Sequence, residues 1–217
     1  MAEPEVRPYL HADRPAVHCI AADTAFFGEP VEVFLDDRRL FLESFYDYYT
    51  DLEPEHSWVA SAGAQVVGFL MGAVNTAAQQ RKWRREILPA VTWRALRGRY
   101  RLGSLTRRYV FALARAALSG ELVHADLSTY PAHLHINVAV RWRGRGLGRC
   151  LIQAYLAQLR QLAVPGVHLM TTSLNEAACR LYTGIGFQLL ESRRTRTWAH
   201  LVDQEVENRC YGLRLQP

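Results

Sequence analysis

Three glycines, Gly144, Gly146 and Gly148, alternate with other residues between Arg141 and Arg149, and Arg143 and Arg145 lie among them. Glycine lets backbone approach an oxygen anion closely, and arginine supplies charge-assisted donors. Such a turn binds phosphate-like anions when a helix starts inside it. The first-turn amides then lack partners, and the helix dipole adds roughly half a positive charge. The flanking residues predict this arrangement. Upstream, Leu134, Ile136, Val138 and Val140 alternate with His133, His135, Asn137 and Ala139, the period of a half-buried strand ending near Val140. Downstream, Leu147, Leu151, Ala154, Tyr155 and Leu159 recur at helical spacing.

Two common phosphate loops do not fit. A dinucleotide fingerprint needs G-x-G-x-x-G, but Arg149 stands where its last glycine belongs, and no G-x-x-x-x-G-K-[ST] occurs. Arg143 to Gly148 instead resembles the R/Q-x-x-G-x-G/A pyrophosphate loop of the GNAT superfamily of acetyl-CoA-dependent N-acyltransferases. A second motif follows. Val167 to Ser173 reads as a strand, and Asn175 to Phe187 resembles the family's N-x-x-A-x-x-x-Y-x-x-x-G-F helix through Asn175, Ala178, Tyr182, Gly186 and Phe187. The likeness is loose from Val6 to Ala73 and close from Pro131 to Phe187. The phrases Ala132-His-Leu-His-Ile136 and Pro165-Gly-Val-His-Leu169 also resemble the acetyltransferase-like C-terminal domain of O-GlcNAcase and its free-standing bacterial relatives.

The resemblance implies an α/β GNAT fold, with a mixed, mostly antiparallel central sheet and helices on both faces. It implies acetyl-CoA as cofactor and a primary amine as acceptor. Pantetheine would enter where the strand at Val167 splays from its neighbour, using backbone groups around Val138 and Val140. Pyrophosphate would fall on Arg143, Gly144, Arg145, Gly146, Leu147, Gly148 and Arg149, and Asn175 and Ala178 would border pantetheine. Tyr182 matches the tyrosine that protonates the departing sulfur. The family's glutamate base falls near Ala132, which cannot take a proton. His133 and His135, on one strand face, are the remaining candidates for base, directly or through water; either can equally be structural. O-GlcNAcase-like relatives often carry an acid where Asn137 stands. Ala132 and Asn137 therefore keep a rival open, an inactive acetyl-CoA-binding or protein-interaction module.

At 217 residues, 49% hydrophobic and 22% charged, the chain suits one well-buried globular domain. Its four cysteines show no C-x-x-C or ligand spacing, so neither a disulfide framework nor a metal site is expected. With no basic, apolar leader and no membrane-length apolar run, a reducing cytoplasm is the expected location. The net charge of +5 is uneven: eleven bases face Glu86 alone between Arg81 and Arg115.

Near the start of the chain, Val6 to Leu10 reads as a strand and Asp13 as the cap of a helix to about Ala22. A second helix is expected from about Val31 to Tyr49, and Trp58–Ser61 and Val66–Val74 as a hairpin. Phe26, Phe27, Phe45, Tyr46, Tyr48 and Tyr49 are either core or an apolar acceptor wall. About Asn75 to Tyr130 is an insertion relative to the family, read as two amphipathic helices broken near Arg97 to Gly103 within a single domain spanning residues 1–217. It can pack on the domain, cover the acceptor groove, form a homodimer contact or meet an acidic partner; no aromatic-basic motif points to nucleic acid. Ser173 and Glu176 match a capping box, with Asn175 a competing cap. Phe187–Leu190, Arg194–Ala199 and Asn208–Leu215 read as closing strands.

Overall fold

The computed structural model describes residues 3–215. Seven strands form one sheet in the order β1-β2-β3-β4-β5-β7-β6: β1 Glu5–Pro8, β2 Ser57–Ala62, β3 Gln65–Ala73, β4 Ala132–Val138, β5 Gly166–Thr172, β6 Gln188–Thr195 and β7 Val206–Arg214. Every neighbouring pair is antiparallel except β4 and β5. Helices α1 (Arg14–Asp23) and α2 (Arg38–Phe45) cover one face; α6 (Leu147–Gln161) and α7 (Glu176–Ile185) cover the other. This is the expected mixed α/β architecture. Pro8 closes an edge strand, where its missing amide costs no ladder bond.

The alternation read from β4 decides which side chains reach which layer. Ala132 and Leu134 are buried with α6, while His133, His135 and Asn137 turn toward α1 and α2. Helix α6 locks onto the sheet through Tyr155, whose hydroxyl donates to the His133 carbonyl at 3.1 Å. Its ring lies against Gly72 of β3, where an added Cβ would sit 2.4 Å from Tyr155 Cζ. Gly72→Ala is therefore expected to lower unfolding stability by about 1–3 kcal/mol, the usual cost of overpacking a core, as checked by urea denaturation.

Residues 75–130 hold three helices. Helix α3 (Thr76–Lys82) runs through a π turn at Trp83–Ile87 into α4 (Leu88–Leu96), and α5 (Ser104–Leu118) follows the expected break. The insertion packs on α2: Trp83 Nε1 donates to the Ser44 carbonyl at 2.7 Å, Arg94 pairs with Glu43 at 2.7 Å, and Asp36 accepts from the Thr106 amide and hydroxyl, both at 2.8 Å.

Several boundaries differ from expectation, for local reasons. The helix expected over Val31–Tyr49 is a 3-10 turn at Val31–Val33, then α2, then a π turn at Tyr48–Leu52. Asp37 forces the interruption by capping α2 through the Arg39 amide at 2.9 Å. Asp13 does not cap α1 with its side chain; it pairs with Arg7 at 2.7 Å. Ser173 does not join Glu176 in a capping box, because its hydroxyl accepts from the Glu207 amide at 3.0 Å; Asn175 is the cap of α7. Strand β4 ends at Val138, and Val140 begins a 3-10 turn. The first two expected closing strands merge into β6, and Trp198 lies in a turn. Among the described residues no helix is long and apolar enough to cross a membrane.

Candidate active site

Strands β4 and β5 pair only at Ala132↔Val167 and His133↔His168, then part. Ala139 donates its amide to Val67 of β3 at 2.9 Å. By the alternation of backbone groups along a strand, the Val138 amide and carbonyl face the opposite way, into the gap. That gap opens into a cleft of about 550 Å³ that reaches both sides of the sheet.

At one end of the cleft is the glycine turn. Gly144 (φ 74°) and Gly146 (φ 79°) adopt the left-handed conformation that β-carbons disfavour, and Gly146 sits at the N-cap of α6. A Cβ at either would meet nothing within 4 Å, so the hollow above the turn is open. The first amides of α6 point from it without helical partners. The arginines are engaged elsewhere. Arg143 folds back, donating from Nε to the Val138 carbonyl at 3.1 Å and lying over Gly28. Arg145 stacks on Trp142 at 4.7 Å, and Arg149 donates to the Gly184 carbonyl at 3.3 Å. The anion-binding capacity is thus chiefly that of the backbone.

The cleft brings together His135, Asn137, Val138, Arg143, Gly144, Gly146, Leu147, Gly148, Arg149, Asn175, Ala178 and Tyr182. His133, Val140 and Arg145 do not line it. His133 is buried beneath, its Nε2 2.6 Å from the Tyr49 hydroxyl and its Nδ1 2.7 Å from Thr76 Oγ1. Thr76 Oγ1 also lies 2.7 Å from the Pro131 carbonyl, which can only accept. The assignment satisfying every group has Thr76 donating to Pro131, His133 donating from Nδ1 to Thr76, and Tyr49 donating to Nε2. Burial and the neighbouring His135 and His168 hold His133 well below the ordinary histidine pKa. It is a neutral support.

His135 opens onto the cleft, its ring between those of Tyr49 and His133, each 5.5 Å away. Desolvation by the surrounding protein, with a smaller contribution from His168, lowers its pKa to about 4. It is therefore neutral at pH 7 and able to accept a proton. Asn137 donates to Thr24 Oγ1 at 2.6 Å, and Thr24 in turn donates to the Ile20 carbonyl at 2.6 Å. Tyr182 enters from the opposite face on α7, 5% exposed, its ring 6.1 Å from Phe187 and 5.9 Å from Tyr211. Burial raises its pKa, so the phenol stays a donor.

Asn175 accepts from the Ala178 amide at 3.4 Å, holding the first turn of α7 at the cleft rim. Thr172 lines the same wall, and its buried Oγ1 has no partner among the described residues. Sequence reading missed Thr172, Thr24 and Thr76, since no motif marks them and they meet β4 or the cleft only through the fold. Of the aromatic residues open to two readings, Phe27 and Tyr46 line the cleft, Phe26, Tyr48 and Tyr49 are core, and Phe45 is 47% exposed.

A family model described as Acetyltransferase (GNAT) family matches residues 27–187. The crystal structure of SsHAT is 30% identical and superposes with a TM-score of 0.73, covering 99% of this chain and 100% of that one. A Salmonella typhimurium protein whose structure holds its cofactor acetyl-CoA shares the fold at a TM-score of 0.58 and 14% identity, over 98% of this chain and 94% of that one. Mycothiol acetyltransferase of Nocardiopsis dassonvillei is 44% identical over 57 residues. That match takes in 26% of this chain but only 17% of the relative. Both the glycine turn and the Asn175 helix fall within the matched region, and the chain belongs to the GNAT family of acetyltransferases.

Proposed function

We propose that this chain, acting as a single domain, binds acetyl-CoA in the parted β4–β5 seam and transfers its acetyl group to a primary amine. One observation carries the reading: a backbone anion cradle at the α6 N-terminus opens into a seam that His135 and Tyr182 reach from opposite faces of the sheet. The residues present fit the cofactor. The amides of Leu147, Gly148 and Arg149 would hold pyrophosphate, with the open hollow over Gly144 and Gly146 giving it room. Val138, Asn175, Ala178 and the unpaired Thr172 hydroxyl would flank pantetheine. Acetyl-CoA supplies a thioester-activated acetyl group. The Val138 amide can donate to its carbonyl oxygen, Tyr182 can give a proton to the leaving sulfur, and His135 can take one from the attacking amine, directly or through water.

The acceptor end narrows the class of amine. It is lined by Thr24, Ala25, Phe27, Tyr46, His135, Asn137 and Met170, and among the described residues no carboxylate lines the cleft. An ammonium ion would be desolvated there without a counter-charge. A weakly basic amine that arrives neutral, on a mostly apolar body, suits the site. The narrower kinship with the O-GlcNAcase C-terminal domain draws support from the two phrases that suggested it: they are strand partners, and His133 and His168 lie with ring centres 5.8 Å apart.

Calorimetric titration with acetyl-CoA and CoA, against ATP and NAD, tests the first half of the reading, and release of free CoA across an amine panel the second. Selective CoA-ligand binding without turnover would favour the inactive module instead; no binding would overturn both. If His135 is the base, kcat/KM for a weakly basic amine rises with pH through about 4, where the ring loses its proton, and is flat around neutrality. His135→Gln should lower the plateau about 10²-fold and remove that limb; a limb that persists in the variant excludes His135.

A further inference from the structure

The insertion carries a surface that the acetyl-transfer reading does not use. Of the eleven bases between Arg81 and Arg115, Lys82 meets Glu53 at 3.7 Å, Arg94 meets Glu43 at 2.7 Å and Arg115 meets Glu121 at 2.7 Å. The other eight have no carboxylate partner among the described residues. Five of them, Arg97, Arg99, Arg101, Arg107 and Arg108, are exposed around the turn joining α4 to α5 and on the first turns of α5. Large apolar side chains stand among them. Trp93 and Leu96 on α4 are 56% and 78% exposed, and Phe111 and Leu118 on α5 are 72% and 90% exposed. Arg97 lies over the Trp93 ring at 4.2 Å.

Helix α5 is apolar on two sides. Tyr109, Ala112 and Ala116 turn inward, Tyr109 stacking on Trp198 at 5.5 Å, while Arg107, Phe111, Ala114 and Leu118 form an outward stripe at helical spacing. A solvated helix has no need of phenylalanine and leucine on its outer stripe. A second copy meeting the same surface about a two-fold axis would bring unpaired arginines against their own counterparts. Nucleic acid would satisfy the arginines and leave the leucines without a role. An anionic bilayer satisfies both, with guanidinium groups among headgroup phosphates and apolar side chains in the acyl boundary.

We propose that the α4–α5 hairpin docks this protein reversibly on anionic lipid surfaces. The test uses the whole chain in co-sedimentation with phosphatidylcholine vesicles, with and without phosphatidylglycerol, at low and high salt. Binding is expected only with the anionic lipid, weakening as salt screens it. Phe111→Ser with Leu118→Ser should reduce partitioning at least about tenfold, as should Arg97→Gln with Arg99→Gln and Arg101→Gln. All these positions are exposed, so circular dichroism and melting temperature should match the parent. Failure of the parent to bind anionic vesicles overturns the proposal. Two other results do the same: tight binding to duplex DNA that both variant sets share equally with vesicles, or a parent dimer that Phe111→Ser with Leu118→Ser disperses while vesicle binding persists.

Discussion

Gly146→Glu is expected to weaken acetyl-CoA binding at least about 100-fold while leaving the fold intact. Two effects combine. At φ 79° a residue with a β-carbon is disfavoured, so the empty turn of the variant relaxes out of the left-handed region and binding must restore it at a cost of roughly 1–2 kcal/mol. The new carboxylate would also lie at the first turn of α6, where it competes with pyrophosphate for the unpaired amides and repels it. A further ~1–2 kcal/mol from that source brings the total to about 3 kcal/mol, and each 1.4 kcal/mol is about tenfold in Kd. Because a Cβ at this position meets nothing within 4 Å, Gly146→Ala isolates the backbone cost and should lose only about tenfold. Calorimetric titration of both variants with acetyl-CoA separates charge from strain. Unchanged affinity in the glutamate variant would remove the glycine turn from the site.

Tyr182→Phe is expected to slow turnover about 10²-fold, the contribution of one positioned general acid, with acetyl-CoA affinity nearly unchanged. The ring contacts with Phe187 and Tyr211 survive in phenylalanine, so packing and stability should hold. What is lost is a hydroxyl whose proton burial holds more firmly than in an ordinary tyrosine. Single-turnover rates should fall with kcat, which ties the loss to the chemical step rather than to product release. Equal rates in parent and variant would leave Tyr182 as a packing residue of α7.

The strand, turn and helix that build the cleft were legible because each depends on neighbours in sequence. Alternation along 132–138 separates the β4 faces, and the helix starting at Leu147 is announced by apolar spacing and glycine. What the sequence hides is decided by partners far along the chain. His133 and His135 look alike as candidate bases two residues apart, yet Tyr49 and Thr76 lock the first, and only the second reaches the cleft. The arginines of the turn suggest ligands by type, but Trp142, Gly28 and Gly184 claim them. Apolar spacing likewise suggests one helix over Val31–Tyr49, because it is blind to Asp36 and Asp37, which bind Thr106 and Arg101 of the insertion.

The two-rung contact between β4 and β5 divides the sheet mechanically. On one side, β1, β2, β3 and β4 lie against α6; on the other are β5, β7 and β6, and α7 spans the two, touching α6 and meeting Tyr211 of β7 through Tyr182. The other ladders are longer, so the seam is where the sheet can open with the fewest broken ladder bonds. Amide exchange along the Ala132–Val167 and His133–His168 rungs should report that opening rather than global unfolding. A molecule wedged into the seam would act as a splint between the two half-sheets, and part of its binding energy would be read out as stiffness of the protein itself.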